Sequence, residues 1–197
     1  MSPDRPLALE ELPARLWSEL VRASRDRHHG WRLPVLATVD PQGSPQARTV
    51  VLRGADAALG ELVCYTDRRS PKVSQLRADG RGVLVFWCAR LSWQLRAQVR
   101  IGVEEDGARV QAAWARVAGQ PAARDYLAPA PPGTAGLQGG WGTGAEPAGD
   151  ADEPQAVHHL ALLSARVMAL DWLELDRRHG PRRAGVDAQG CARWLIP

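Results

Sequence analysis

The sequence predicts a mainly β fold: an antiparallel, Greek-key-like barrel carrying peripheral helices. Three observations lead there. Short segments with period-two alternation recur along the chain, turn signals join them as hairpins, and few helical stretches intervene. Strands strung together in this way argue against a doubly wound parallel sheet. With 197 residues, 45% apolar and 24% charged, the chain suits one globular domain over residues 1–197.

Residues 7–27 read as a helix, with Leu9, Leu12, Leu16, Leu20 and Val21 on one stripe and Pro13 tolerated only in the first turn. His28-His29-Gly30 ends it. From Trp31 the period becomes two through Leu33, Val35, Ala37 and Val39. Asp40-Pro41-Gln42-Gly43 fits a type I turn, and a returning strand is expected over 46–53. A further strand covers 61–66. Ser70-Pro71-Lys72 opens a short helix that Gly80 stops. The apolar run 83–87 reads as a strand buried on both faces. Residues 93–103 alternate, with Leu95, Ala97, Val99, Ile101 and Val103 on one face and Gln94, Arg96, Gln98 and Arg100 on the other. Helical spacing returns over 108–118 through Val110, Trp114 and Val117. Residues 129–154 form a Gly/Pro-rich loop, expected to be mobile. Its Gly140-Trp141-Gly142-Thr143-Gly144 has no preceding strand and is rejected as a dinucleotide fingerprint. Strands are expected near 167–175, 182–186 and 193–196.

Composition narrows the function classes. No apolar run reaches the roughly 18 residues of a membrane span, and the N-terminus lacks the order of a signal peptide, so a cytoplasmic protein is expected. Cys64, Cys88 and Cys191 are odd in number and form no CxxC pair, as expected of free thiols. Adjacent histidines (His28-His29, His158-His159) point apart, and no metal site is expected. The net charge of +3 comes from arginines interleaved with acids, without a basic tail or helix, so no nucleic-acid partner is expected.

One oddity is more informative: of 25 basic residues, only Lys72 is a lysine. It stands in the first turn of a helix, where free N–H groups and the dipole attract anions and a cation is mildly unfavourable. A phosphate in front of the helix removes the conflict, although a capped surface helix with an exposed lysine explains the same letters taken alone. Arg48 and Arg53 bracket Thr49-Val50-Val51-Leu52, and on one strand they fall on opposite faces. One can meet a phosphate while the other serves a different site. Gln94, on the polar face of the long strand, both donates and accepts, which suits the edge of a flavin or base.

These residues resemble a known family. Arg48-Thr49-Val50-Val51-Leu52-Arg53 is similar to the R-x-V-L-L-K element of pyridoxamine 5′-phosphate oxidases. Tyr65-Thr66 with Ser70-Pro71-Lys72 resembles their Y-T-N-x-x-S-R-K element, and Trp93-Gln94-Leu95-Arg96 their R-Q-V-R. Trp172 with Pro181-Arg182-Arg183 resembles the closing W…R-x-H-D-R. The matches occur in family order, closest to the oxidase-related, FMN-binding branch.

The resemblance implies a split β-barrel that binds FMN at a homodimer interface. Arg48, Ser70 and Lys72 would hold the FMN phosphate. Thr49, Val50, Val51, Leu52, Tyr65 and Thr66 would line the ring and ribityl chain, and Gln94 would meet the ring edge. Trp172 and Arg183 would reach the partner subunit's flavin. The sequence departs from the family at Arg53, which replaces the substrate-phosphate lysine, and at Pro181, which replaces a histidine. The Arg of the family's Tyr…Arg…Ser substrate cluster, expected near 114–118, has no convincing match there. The expected function is therefore an FMN-dependent, oxidoreductase-like protein acting on an unassigned small molecule. Authentic pyridoxamine-phosphate oxidase and a non-catalytic flavin or haem binder stand as alternatives. No residue stands out as a catalytic acid, base or nucleophile.

Overall fold

A computed structural model describes residues 7–134, 157–176 and 180–197. Helix α1 (Leu12–Arg25) follows a short 3-10 turn, with Pro13 in its first turn. Leu12, Leu16, Leu20 and Ala23 recur at helical spacing and are all fully buried. Glu19 shares that stripe and is also buried, held by Arg15, Arg22 and the Nε2 of His29. His29 Nδ1 accepts the Trp31 N–H, which fixes the turn Gly30–Arg32 as 3-10 and sends Trp31 into the core. The strand expected to start at Trp31 therefore starts later, at β1 (Val35–Val39).

β1 pairs with β2 (Pro45–Thr49) across the expected turn, in which Gly43 takes φ 84° and its N–H donates to Asp40 O. The single strand expected over 46–53 is two. β2 ends at Thr49, Val50 N–H donates to Pro34 O, and β3 (Leu52–Asp56) then pairs with β4 (Glu61–Asp67). β5 (Arg81–Cys88) and β6 (Trp93–Glu104) form a hairpin, and β6 runs along β7 (Leu160–Glu174), which continues to β8 (Arg182–Asp187) and β9 (Ala192–Leu195). Every pairing is antiparallel, in the order β2-β1-β5-β6-β7-β4-β3, with β8 and β9 extending from β7. β2 and β3 stand at opposite ends of this path, yet only Val50 and Val51 separate them. Three Cα steps of about 3.8 Å each cannot cross a flat sheet, so the sheet curls into a barrel split between these edges.

Inside lie Leu36, Leu52, Leu62, Leu84, Phe86, Leu95, Ala97 and Trp172. The alternation of β6 holds, with Trp93, Leu95, Ala97, Val99 and Ile101 all inward. β5 is not buried on both faces: Leu84, Phe86 and Cys88 enter the core, whereas Trp87 is 48% exposed. β7 begins well before the expected residue 167, because its first half contacts both β4 and β6. Outside the barrel, α3 (Gly107–Val117) and α4 (Arg124–Leu127) pack Val110, Ala113, Val117 and Tyr126 against Leu160 and Leu162. Residues 135–156, and with them most of the expected loop and its glycine cluster, lie outside the described residues. Among the described residues no helix is long and apolar enough to cross a membrane.

Candidate functional site

Helix α2 (Pro71–Ala78) connects β4 to β5 and starts after Ser70, with Pro71 in the first turn. Ser70 has the backbone of an N-cap, but its hydroxyl does not cap the helix. It accepts instead from Lys72 Nζ at 2.6 Å, and the same ammonium donates to Thr66 Oγ1 at 3.0 Å. The first-turn N–H groups are thereby left without a side-chain acceptor.

Arg48 reaches the same helix from β2. Its Nη1 donates to Thr38 Oγ1 at 2.6 Å and its Nη2 to Gln75 Oε1 of α2 at 3.1 Å. Thr38, Thr66, Ser70 and Gln75 are all buried. Burial lowers the pKa of Lys72, and the Arg48 charge lowers it further, with Asp67 partly opposing. Burial lowers Arg48 likewise. Two partly desolvated cations thus lie near each other, hydrogen-bonded among the described residues to neutral oxygens alone, an arrangement that an incoming anion relieves. The residues fit a phosphate group on this ground.

The outer sheet face carries the next part. Cross-strand partners share a face, so Trp87, Gln94, Leu173 and Arg183 form one row from β5 to β8. Thr49, Val35, Val85, Arg96 and Asp171 form the next. Arg183 grips Asp171 through two hydrogen bonds of 2.9 and 2.7 Å, and Arg96 approaches the same carboxylate at 3.3 Å. A cleft of about 650 Å³ adjoins the first row, lined by Trp87, Ser92, Leu175, Asp176, Gly180 and Pro181. Ser92 there holds a positive φ of 52°, and its carbonyl accepts the Leu175 N–H.

Other expected residues are placed differently. Val50 and Leu52 turn into the core, leaving Thr49 and Val51 with accessible surface. Trp172 has none: it is 0% exposed, meets Trp93 edge-on at 5.3 Å and lies beneath Arg182. It alternates inward with Leu170 on β7 and does not reach the outer face. Arg53 stands apart from the Arg48–Lys72 pair. Its guanidinium lies 5.5 Å over the Tyr65 ring, and its buried Nε has no hydrogen-bond partner among the described residues. Burial raises the pKa of Tyr126, while the charge and hydrogen bond of Arg53 oppose this. Tyr126 escaped the sequence reading. The available signal was rarity, since both tyrosines of the chain converge on Arg53. Arg109 is committed to Glu61 and Glu104.

Comparison with known proteins agrees with this geometry. Residues 14–104 match the model of the pyridoxamine 5′-phosphate oxidase, FMN-binding domain. A pyridoxine/pyridoxamine 5′-phosphate oxidase of Azorhizobium caulinodans is 38% identical over 108 residues, which is 51% of this chain and 48% of that protein. The chain thus matches about half the length of such curated relatives. In fold it is similar to a pyridoxamine 5′-phosphate oxidase-related, FMN binding protein of Nostoc punctiforme, with TM-score 0.68, 24% identity, and 98% and 100% of the two chains covered. It is also similar to PhzG of Burkholderia lata, with TM-score 0.66, 13% identity, and 100% and 98% covered. The stretch 14–104 contains Arg48, Thr66, Ser70, Lys72 and Gln94, and over it the chain is similar to the FMN-binding domain of pyridoxamine 5′-phosphate oxidases.

Proposed function

We propose that the protein is an FMN-dependent oxidoreductase in which Arg48, Lys72 and the Ser70 turn hold the cofactor phosphate. The observation that carries this reading is the half-buried cation pair whose hydrogen-bond partners among the described residues are all neutral. Thr49 and Val51, with the backbone of Val50 and Leu52, and Tyr65-Thr66 line the cofactor, while Gln94 meets the ring edge. Bound FMN supplies hydride and electron transfer; the protein supplies position and electrostatics.

The protein acts as a homodimer. On the outer sheet face Val35, Val39 and Trp87 are 38%, 43% and 48% exposed, and apolar side chains placed in this way suit burial against a second copy. Arg183, on the same row as Gln94, reaches the flavin of the second copy, whereas Trp172 supports that face from within the core. Cys64 and Cys88, buried as free thiols, fit a reducing cytoplasm.

The test is to release and identify the flavin from purified protein by absorbance and mass, with titration of the stripped protein. One FMN per chain is expected; a colourless protein that takes up no added FMN overturns the reading. Authentic oxidase activity has one observation in its favour, the unpartnered Nε of Arg53 beside Tyr126, which offers a single anchor for a substrate anion. One anchor falls short of a dianionic substrate's needs. Turnover of pyridoxamine phosphate by FMN-loaded protein is expected far below the enzyme median of about 10 per second.

A further inference from the structure

Asp67 is the carboxylate closest in effect to Lys72, and it is 4% exposed. It occupies the position where the motif quoted above has an asparagine. A buried acid beside a phosphate-holding lysine is an internal competitor, since it can pair with the ammonium or repel the dianion.

Arg69, two residues on, deals with it. Its Nη2 lies 2.7 Å from Oδ2, its Nε 3.1 Å from Oδ1, and its backbone N–H donates to Oδ1 at 2.7 Å. Burial works against the Asp67 carboxylate, but these bonds and the guanidinium charge outweigh it and hold the carboxyl below its usual range. The other edge of the guanidinium leaves the loop altogether: Nη2 donates to Ala128 O at 2.8 Å and Nη1 to Pro129 O at 3.2 Å. Residues 128 and 129 are thereby tied to the loop that starts α2, and Gly133 passes near the Pro71 ring. On the strand side, Arg68 N–H donates to His159 O.

We infer that Arg69 is a positioning residue for the ligand phosphate: it keeps Asp67 off Lys72 and ties the Ser70–Lys72 turn to residues 128–129, leaving the turn open to an anion. This rests on the reading that a phosphate binds at Lys72. Asp67 and Arg69 touch no ligand themselves. They act through the ammonium and the turn.

FMN and riboflavin differ by the phosphate, so titrating both separates this role from a general one. In Arg69→Ala, FMN binding weakens by about tenfold or more, the scale of one charge-assisted contact, while riboflavin binding is unchanged. Asp67→Asn/Arg69→Ala recovers most of the loss because the amide no longer competes. Arg69→Lys, which keeps the charge without the fork, falls between. Unchanged FMN affinity in Arg69→Ala, an equal loss for riboflavin, or no recovery in the double variant overturns the inference. Inorganic phosphate gives a second readout: it should raise the thermal midpoint of the native protein and not of Arg69→Ala, with Arg69→Lys used if the alanine variant does not fold. A native protein that ignores FMN but shows this phosphate effect refutes the proposed cofactor and keeps the role of Arg69. No phosphate effect on the native protein overturns that role.

Discussion

Two cation-rich regions flank the barrel, and they differ in what faces the charge. At α2, Arg48 and Lys72 have hydroxyls, an amide and carbonyls as partners, and burial lowers both pKa values. Across β6, β7 and β8, three cations meet carboxylates: Arg183 and Arg96 share Asp171, and Arg182 pairs with Glu174. The Asp171 hydrogen bond and charge raise Arg183 instead. The first arrangement is costly until an anion arrives, and the second is already satisfied. Counting arginines does not separate them; counting carboxylates does.

If that contrast holds, removing cations has opposite consequences in the two regions. The largest effect is expected from Arg48→Ala/Lys72→Ala, which loses two charge-assisted contacts of about 1.5–3 kcal/mol each. FMN affinity should fall by about a hundred- to ten-thousandfold in isothermal titration. The thermal midpoint of the cofactor-free protein should hold or rise, because the mutual repulsion is gone. A large loss of stability without ligand would show that the pair is structural and break the comparison.

Next in size is Trp172→Ala, in the carboxylate-rich region. Emptying a fully buried indole site costs about 3–5 kcal/mol of folding stability. Urea unfolding of the cofactor-free protein should show that loss, whereas Trp87→Ala, on the exposed face, should change monomer stability little. Comparable losses for the two would mean that the burial assigned to Trp172 is wrong. Arg183→Ala is expected to be milder, about tenfold or less in FMN affinity, since its hydrogen bonds are shared with Asp171. A loss as large as that of Lys72→Ala would merge the two regions into one site.

Much of this was legible in the letters, and the failures have physical causes. The solitary lysine after Ser70-Pro71 singled out the turn now proposed to take an anion, because a first-turn cation opposes the helix dipole. The alternation of β6 marked its inward face because one side of that strand is buried. The break at Val50-Val51 was invisible. The apolar run continues through it, and what ends β2 is a barrel edge, which no local pattern encodes. The first half of β7 was missed because Leu160-Ala161-Leu162-Leu163 is continuous rather than alternating, as befits a strand sandwiched between the barrel and α3. Trp172 was placed at a flavin by resemblance, although its spacing of two from Leu170 already put both on one face. The bond from Arg69 to Ala128 spans 59 residues, and only the fold brings its ends together.

The smallest expected effect concerns pH, and it tests whether the carboxylate-rich region is held by charge. The hydrogen bond from Arg183 lowers the pKa of Asp171 from the ordinary 3.8, partly opposed by burial and reinforced by the charges of Arg183 and Arg96. A carboxyl with a depressed folded pKa binds its proton more readily in the unfolded chain. Its stabilising contribution is therefore complete above about pH 4 and is lost as pH falls through the folded value. Asp171→Asn keeps the size and removes the charge, so at pH 7 the variant should unfold at a lower temperature than the native protein. Other acids titrate over the same range, but they do so in both proteins and largely cancel in the difference. The gap between the two midpoints should stay constant from pH 7 to pH 5 and close as the medium is taken toward pH 3. Because Asp171 is 22% exposed, solvent screening keeps that gap to about 1 kcal/mol or less. A gap that persists unchanged at pH 3 would mean that shape rather than charge holds Arg183. Arg183 would then lack the charge compensation that sets it apart from Arg48 and Lys72, and the distinction between the two regions would fail.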